Sequence, residues 1–363
     1  MTIMLDGLDD VDWAKLKHAY GPADDVPGQL RDLVSPDESV RTAALDELFG
    51  NIFHQGTIYE ATPHAVPFLL EALPECPEQE TLLLLLTSIV TGYDERWLPE
   101  TIPVAGHRES AATAEDPEAK AYNDCWVRIY DGVRAGVPLF RELLNAAPPV
   151  RAMAAYALAW FQEEAEESLR ALAPISAGDP EDFVAATASV AMGLLGGRPA
   201  FGDPRPLARW GAAIALATVD RRDASDEVVG ELVAATAGAL PDNRDIPFLD
   251  GYLGAYAAAA LRLTGDSERT FHALLTHIPS VTGLDAYHVV EAALHLAFPS
   301  GPTPAGTLYA ALDDRPRRLA DALAGTPEIW LYNGASYDQF GVLTGAYGLP
   351  ASNEAMRDYA STS

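Results

Sequence analysis

The chain has 363 residues, 48% of them hydrophobic, and a formal net charge of −29. That length and apolar content exclude a disordered chain. An acidic surface this strong repels phosphate, so binding to a nucleic-acid backbone would need a locally basic patch. The nearest candidates, Arg315, Arg317 and Arg318 and the pair Arg221 and Arg222, are short clusters beside aspartates. The N-terminal stretch lacks the positive flank and apolar core of a signal peptide. The longest apolar stretch, around residues 82–90, is too short to span a bilayer. Two cysteines, Cys76 and Cys125, form no metal-type pair, and a reducing cytoplasm is the expected location.

Taken in chain order, residues 1–35 are expected to form N-terminal capping helices, and residues 36–300 an array of paired helices. Ser39-Val40-Arg41-Thr42-Ala43-Ala44-Leu45 opens the first of a recurring alanine-rich type. Its counterpart runs from Val150-Arg151 to Leu158, and looser versions follow at 183–195, 207–216 and 252–263. Small residues at helical spacing let two helices approach closely while larger side chains fill the layer between them. A second pattern joins Ala65-Val66-Pro67-Phe68-Leu69 to Gly136-Val137-Pro138-Leu139-Phe140, with a weaker copy at Ile246-Pro247-Phe248-Leu249. Proline in each is expected in the first turn of a helix, where its missing N–H costs nothing. Residues 94–116 are polar, proline-containing and aperiodic, and are expected to form a long loop. Gly193, Gly196 and Gly197 close a helix rather than opening one after a strand, so they are no phosphate loop. Residues 301–363, with Trp330, Tyr332, Tyr337, Phe340 and Tyr347, are expected to be a C-terminal cap and tail.

The V-R-x-x-A-A-x-A-L pattern resembles the first helix of a HEAT (armadillo-type) repeat, and residues 41–73 resemble a segment of uncharacterised actinobacterial HEAT-repeat proteins. The resemblance covers roughly residues 36–300 and implies an all-α fold, a right-handed α-solenoid of helical hairpins. It is specific for fold and weak for function, because such arrays serve as scaffolds, adaptors, inhibitors and a few enzymes. Some HEAT-like proteins are DNA-repair glycosylases, but this chain departs from their basic surface.

Two stretches concentrate polar chemistry. Between two expected helices, residues 51–64 hold His54, Gln55, Tyr59, Glu60 and His64. These side chains are able to line a polar site; they would serve equally to satisfy backbone groups left open at two helix ends. Gly56 would supply a positive φ at a helix exit, and Thr57 or Thr62 a helix cap. In the second stretch, Tyr122, Trp126 and Tyr130 recur every four residues along one helical stripe, which suits either core packing or a partner surface. Cys125 has no activating base nearby in sequence. His288, Glu291 and His295 share one face of a helix, but their order is not the H-E-x-x-H zinc signature, and an amphipathic surface helix is the better reading. No metal or cofactor is expected, and the catalytic residues, if any, are not named by a known signature.

These features lead to two functional expectations. One is a protein-binding scaffold, or an inhibitor or immunity-type protein, whose acidic concave surface docks a partner with a basic surface. The alternative is a small-molecule-binding protein or enzyme with a polar pocket around residues 51–64. Neither involves a membrane or direct contact with nucleic acid.

Overall fold

A computed structural model describes residues 5–265 and 268–361. The first four residues of the expected N-terminal cap and the last two of the C-terminal tail lie outside the described residues. The chain is all-helical, with eighteen α-helices and three two-stranded hairpins among the described residues. No helix there is long and apolar enough to cross a membrane. It divides into two compact units, Met1–Leu195 and Gly196–Ser363.

The first unit opens with two short 3-10 turns and a hairpin, β1 (Lys17–His18) and β2 (Gly21–Pro22), where capping helices were expected. Helices α1 (Val26–Asp32) and α2 (Glu38–Asn51) follow, then a second hairpin, β3 (Phe53–His54) and β4 (Thr57–Ile58). Next come α3 (Thr62–Ala72), α4 (Gln79–Thr91), α5 (Val104–Thr113), α6 (Pro117–Arg134) and α7 (Val137–Leu143). Helices α8 (Pro148–Leu158), α9 (Ala165–Gly178) and α10 (Asp182–Leu194) complete it. Helices α2, α4, α8 and α10 touch in succession, with α1 packed on α2, α7 on α8 and α9 on α10. The alanines do what their spacing implies. In α8, every residue from Ala152 to Leu158 is buried, and in α10 every residue from Val184 to Leu194.

The second unit contains α11 (Pro206–Asp220), α12 (Asp226–Thr236), α13 (Leu253–Leu261), α14 (Glu268–His277) and α15 (Gly283–Ala297). Helices α11, α13 and α15 touch in succession, and α12 packs on α11, α13 and α14. The unit ends with α16 (Asp314–Gly325), a third hairpin of β5 (Leu331–Tyr332) and β6 (Ala335–Ser336), α17 (Asp338–Ala346) and α18 (Asn353–Ser361).

The arginine of the V-R pattern acquires a specific job. Arg41 donates to the Ser35 carbonyl at 2.8 Å and, through Nε and Nη2, to both oxygens of Glu78 at 2.7 and 2.8 Å. Arg151 donates to the Ala146 carbonyl and pairs with Asp179. In the second unit, Arg209 donates to the Asp203 carbonyl at 3.2 Å and pairs with Glu231 at 2.9 Å. Each guanidinium therefore ties the connection before its own helix to a carboxylate one or two helices later. A planar fork of five donors suits such a double clamp.

Four expectations are corrected. Helix α3 begins at Thr62, so Pro67 lies inside it rather than in its first turn; Pro138 does occupy the first turn of α7. The copy at Ile246-Pro247 starts no α-helix, only a broken 3-10 turn at Phe248–Gly251. Leu249 and Asp250 adopt left-handed φ values of 49° and 50°, and the chain folds back so that the Asn243 N–H meets the Gly251 carbonyl at 3.0 Å. Asp250 and Gly251, both at positive φ, tolerate that conformation and put off the next α-helix to Leu253. Residues 94–116 are not one long loop, because α5 occupies 104–113. Finally, α15 is not a surface helix. Ala286, Val289, Val290, Ala292, Ala293, Leu294, Leu296 and Ala297 are all buried.

Candidate functional site

The 51–64 segment is built around a β-hairpin, β3 and β4, with His64 already in the first turn of α3. Gln55 and Gly56 have φ of 49° and 79°, both positive as a type I′ loop between paired strands requires. The pairing sets Phe53 opposite Ile58 and His54 opposite Thr57. Phe53 and Ile58 are buried, which fixes the hairpin's inner face. Gly56 thus supplies its positive φ to a hairpin apex rather than to a helix exit. Thr62, fully buried, donates its hydroxyl to the Ile52 carbonyl at 2.6 Å and accepts from the Tyr59 N–H at 2.9 Å, so it closes the turn instead of capping α3. The N-terminal hairpin holds the segment from outside. Ala19 N–H donates to the Asn51 carbonyl and Ala61 N–H to the Lys17 carbonyl, both at 3.0 Å.

The same backbone device recurs in the second unit. Trp330-Leu331-Tyr332-Asn333-Gly334-Ala335-Ser336-Tyr337-Asp338 matches Ile52-Phe53-His54-Gln55-Gly56-Thr57-Ile58-Tyr59-Glu60 in turn type and in the Tyr-acid pair that follows. Asn333 and Gly334 have φ of 50° and 80°. An Asn-Gly pair between short strands is a strong hairpin signal; it marks the second turn, while the first has only the weaker Gln55-Gly56.

The polar side chains of the 51–64 segment face different neighbours. His54 Nδ1 lies 3.4 Å from the Tyr20 hydroxyl, and the two rings meet edge-on with centroids 5.4 Å apart. His64 Nε2 accepts from Arg128 Nη2 at 3.3 Å. Burial, and then the Arg128 charge, hold the His64 imidazolium below the ordinary histidine range, so the ring accepts as a neutral base. Gln55 and Glu60 are exposed and Tyr59 is half-buried. Tyr20, seven-tenths exposed, was not foreseen because its partner His54 is distant in sequence.

The two candidate stretches nevertheless meet. Cys125 Sγ on α6 lies 3.5 Å from the Tyr59 carbonyl, one helical turn from the Arg128–His64 contact. Burial pushes the Cys125 thiol up to about 11, so at neutral pH it is a protonated donor rather than a nucleophile. A small cavity of about 60 Å³ lies between the hairpin apex and α6, walled by Gly56, Trp97, His107, Tyr122 and Trp126 among others. His54, Gln55, Tyr59, Glu60 and His64 do not line it.

The aromatic stripe runs from surface to core. Tyr122 is exposed, Trp126 is buried and donates Nε1–H to the Val90 carbonyl at 2.9 Å, and Tyr130 is fully buried. Trp126 stacks on Tyr130 at 5.2 Å and on His107 of α5 at 4.1 Å with ring planes 24° apart. His107 Nδ1 is 2.7 Å from Asn123 Oδ1. Tyr130 donates its hydroxyl to Glu163 at 2.5 Å, and burial followed by that bond raises its pKa far above the ordinary phenol. Around this core runs a chain of charges. Arg108 grips Asp131 through both oxygens at 2.6 and 3.0 Å and lies 3.5 Å from Glu163. Arg134 reaches Glu163 and Glu164, and Arg141 reaches Glu164 and Glu167.

Helix α5 packs along α6 without a buried side chain, so the His107 stack and the Arg108 ion pair are its specific anchors. An aromatic stack contributes about 0.5–1.5 kcal/mol, and a half-exposed ion pair about 0–1 kcal/mol. Helix α5 therefore sits at the low end of the local stability range. The Arg108 hydrogen bonds hold the Asp131 carboxyl below the ordinary aspartate range. A carboxylate depressed in the folded state stabilises above its unfolded pKa and loses that contribution as pH falls. Acidification below about pH 4 is expected to loosen α5 and alter the fluorescence of Trp97 and Trp126. The Asp131→Asn protein should show the loosened signal already at neutral pH. Identical acid transitions in both proteins would contradict this assignment.

In the second unit, Glu291 pairs with Arg262 at 3.4 Å and lies 4.0 Å from His288 Nδ1, while His295 is exposed. No group of three or more His, Cys, Asp or Glu among the described residues is placed to hold a metal ion. Comparison with known protein families, with curated proteins and with solved structures gives no match.

Proposed function

We propose that the chain is a right-handed solenoid of HEAT-like helical hairpins that works as a protein-binding scaffold or an inhibitor or immunity-type module, in the cytoplasm, with a basic partner protein. The repeated arginine clamp of Arg41, Arg151 and Arg209 supports a repeat origin, and so do helices that touch in succession within each unit. Repeat arrays offer extended surfaces without requiring a catalytic constellation.

The observation that carries the partner's chemistry lies at the start of the first unit. An open groove of about 530 Å³ between α1 and α2 is lined by Asp25, Asp32 and Glu47 with Tyr20, Gln29 and Asn51. Beside it, a second groove of about 450 Å³ is lined by Asp9, Asp10, Asp12 and Asp24. Lys15 pairs with Asp12 and Arg31 with Asp9, while Asp25 meets His18 Nε2 at 2.9 Å and accepts from Gln29. Surface carboxylates in this number speed encounter with a basic surface and make it salt-dependent.

The test is capture of host proteins on the immobilised chain, compared with an Asp24→Asn, Asp32→Asn, Glu47→Gln variant. These three side chains are exposed, so folding should persist. A partner should be basic, should be released by salt, and should bind the variant at least about tenfold more weakly. A partner indifferent to both salt and the three substitutions removes the acidic surface from the explanation. A small-molecule reading has less support. The histidines of the 51–64 hairpin pair with separate neighbours. The cavity beside them, about 60 Å³ in volume, has room for little more than a pair of waters.

A further inference from the structure

We propose that α5 is a lid over a binding site for a planar nitrogen heterocycle, with the His107 imidazole occupying the ligand's place while the lid is shut. The proposal does not depend on the protein-binding reading. His107 is held as a ligand ring would be. One face lies nearly parallel to Trp126 at 4.1 Å, one nitrogen meets Asn123 Oδ1 at 2.7 Å, and Trp97 closes the edge at 6.1 Å and 74°. That is a receptor for a flat ring bearing one hydrogen-bond donor. The cavity of about 60 Å³ continues from the imidazole toward Tyr122 and Gly56. Vacating His107 would enlarge this space to accept a fused two-ring heterocycle. Arg96, exposed at the cavity's mouth with its guanidinium 5.5 Å from the Trp97 ring centre, favours an anionic substituent there.

The lid is built to open. Among the α-helices of the first unit, α5 alone has no buried side chain among the described residues. Its C-terminal link to α6 runs through exposed Glu115 and Asp116. Segments with few buried apolar contacts open locally at far lower cost than the whole fold. Opening by unwinding α5 exposes the Trp126 face, and a ligand that binds only the open form shifts the population toward it.

Hydrogen exchange on the full chain, with benzimidazole as the probe, tests this. Amides of 104–113 should exchange at least about a hundredfold faster than those of α6. Benzimidazole should shift the Trp126 indole N–H saturably while speeding exchange in α5 further. Ala111→Gly with Ala112→Gly weakens the helix at half-exposed and exposed positions. That variant should bind benzimidazole roughly ten- to thirtyfold more tightly. The proposal is overturned if α5 exchanges as slowly as α6, if neither the native chain nor the glycine variant binds benzimidazole, or if binding leaves α5 exchange unchanged.

Discussion

Replacing Trp210 by Ala is expected to lower the unfolding free energy of the second unit by about 3–5 kcal/mol. Trp210 sits on α11 with no exposed surface, meets the Tyr256 ring edge-on at 5.9 Å, and donates its indole N–H to the Leu253 carbonyl at 3.3 Å. Truncation removes the apolar contact, leaves a void between α11 and α13, and removes the indole hydrogen bond to the Leu253 carbonyl. The alanine-rich surroundings cannot collapse to fill the space, because alanine has no rotamers with which to adjust. Urea denaturation followed by circular dichroism measures the effect. A loss below about 1 kcal/mol, the scale of a surface substitution, would mean that α11 and α13 are not packed as described.

The second large effect is expected at Gly251. Its φ is +76°, which strains any residue with a Cβ by about 1–2 kcal/mol. A Cβ there would lie 1.9 Å from the Asn243 carbonyl oxygen and 2.5 Å from its carbon, so backbone would have to move. Such overpacking adds about 1–3 kcal/mol. Gly251→Ala should therefore cost about 2–5 kcal/mol in total. Gly196, with φ of +81° and nothing near its would-be Cβ, provides the control. Its alanine variant should show only the strain. Equal losses at the two positions would show that the close approach at Asn243 contributes nothing.

The sequence foretold the elements whose apolar residues face a core, and missed those held by other means. The V-R helices were legible because alanines and leucines at helical spacing imply close packing, and α2, α8 and α11 lie where that spacing puts them. Helix α5 was invisible because it buries nothing. His107 and Arg108 anchor it through a ring stack and an ion pair, and neither leaves a periodic trace. The hairpins were missed for a different reason. Such short strands cannot show an alternating pattern, so only Gln55-Gly56 and Asn333-Gly334 marked two of the three, and nothing marked the Ala19-Tyr20 turn. The candidate residues were legible in type but not in partnership. Nothing local indicates that His54 turns to Tyr20, that His64 turns to Arg128, or that Trp126 is covered by His107 from the preceding helix.

The guanidinium clamps set rules for dissecting the protein. A fragment ending between Arg41 and Glu78, or between Arg151 and Asp179, would keep every helix on its own side yet leave a cation without its acceptor. Such pieces should misbehave however well their ends match helix termini. The division between Leu195 and Gly196 cuts none of the three, since Arg209 finds Glu231 on its own side. Recombinant halves divided there would each keep these clamps whole, which makes that peptide bond a place to separate the two for independent study.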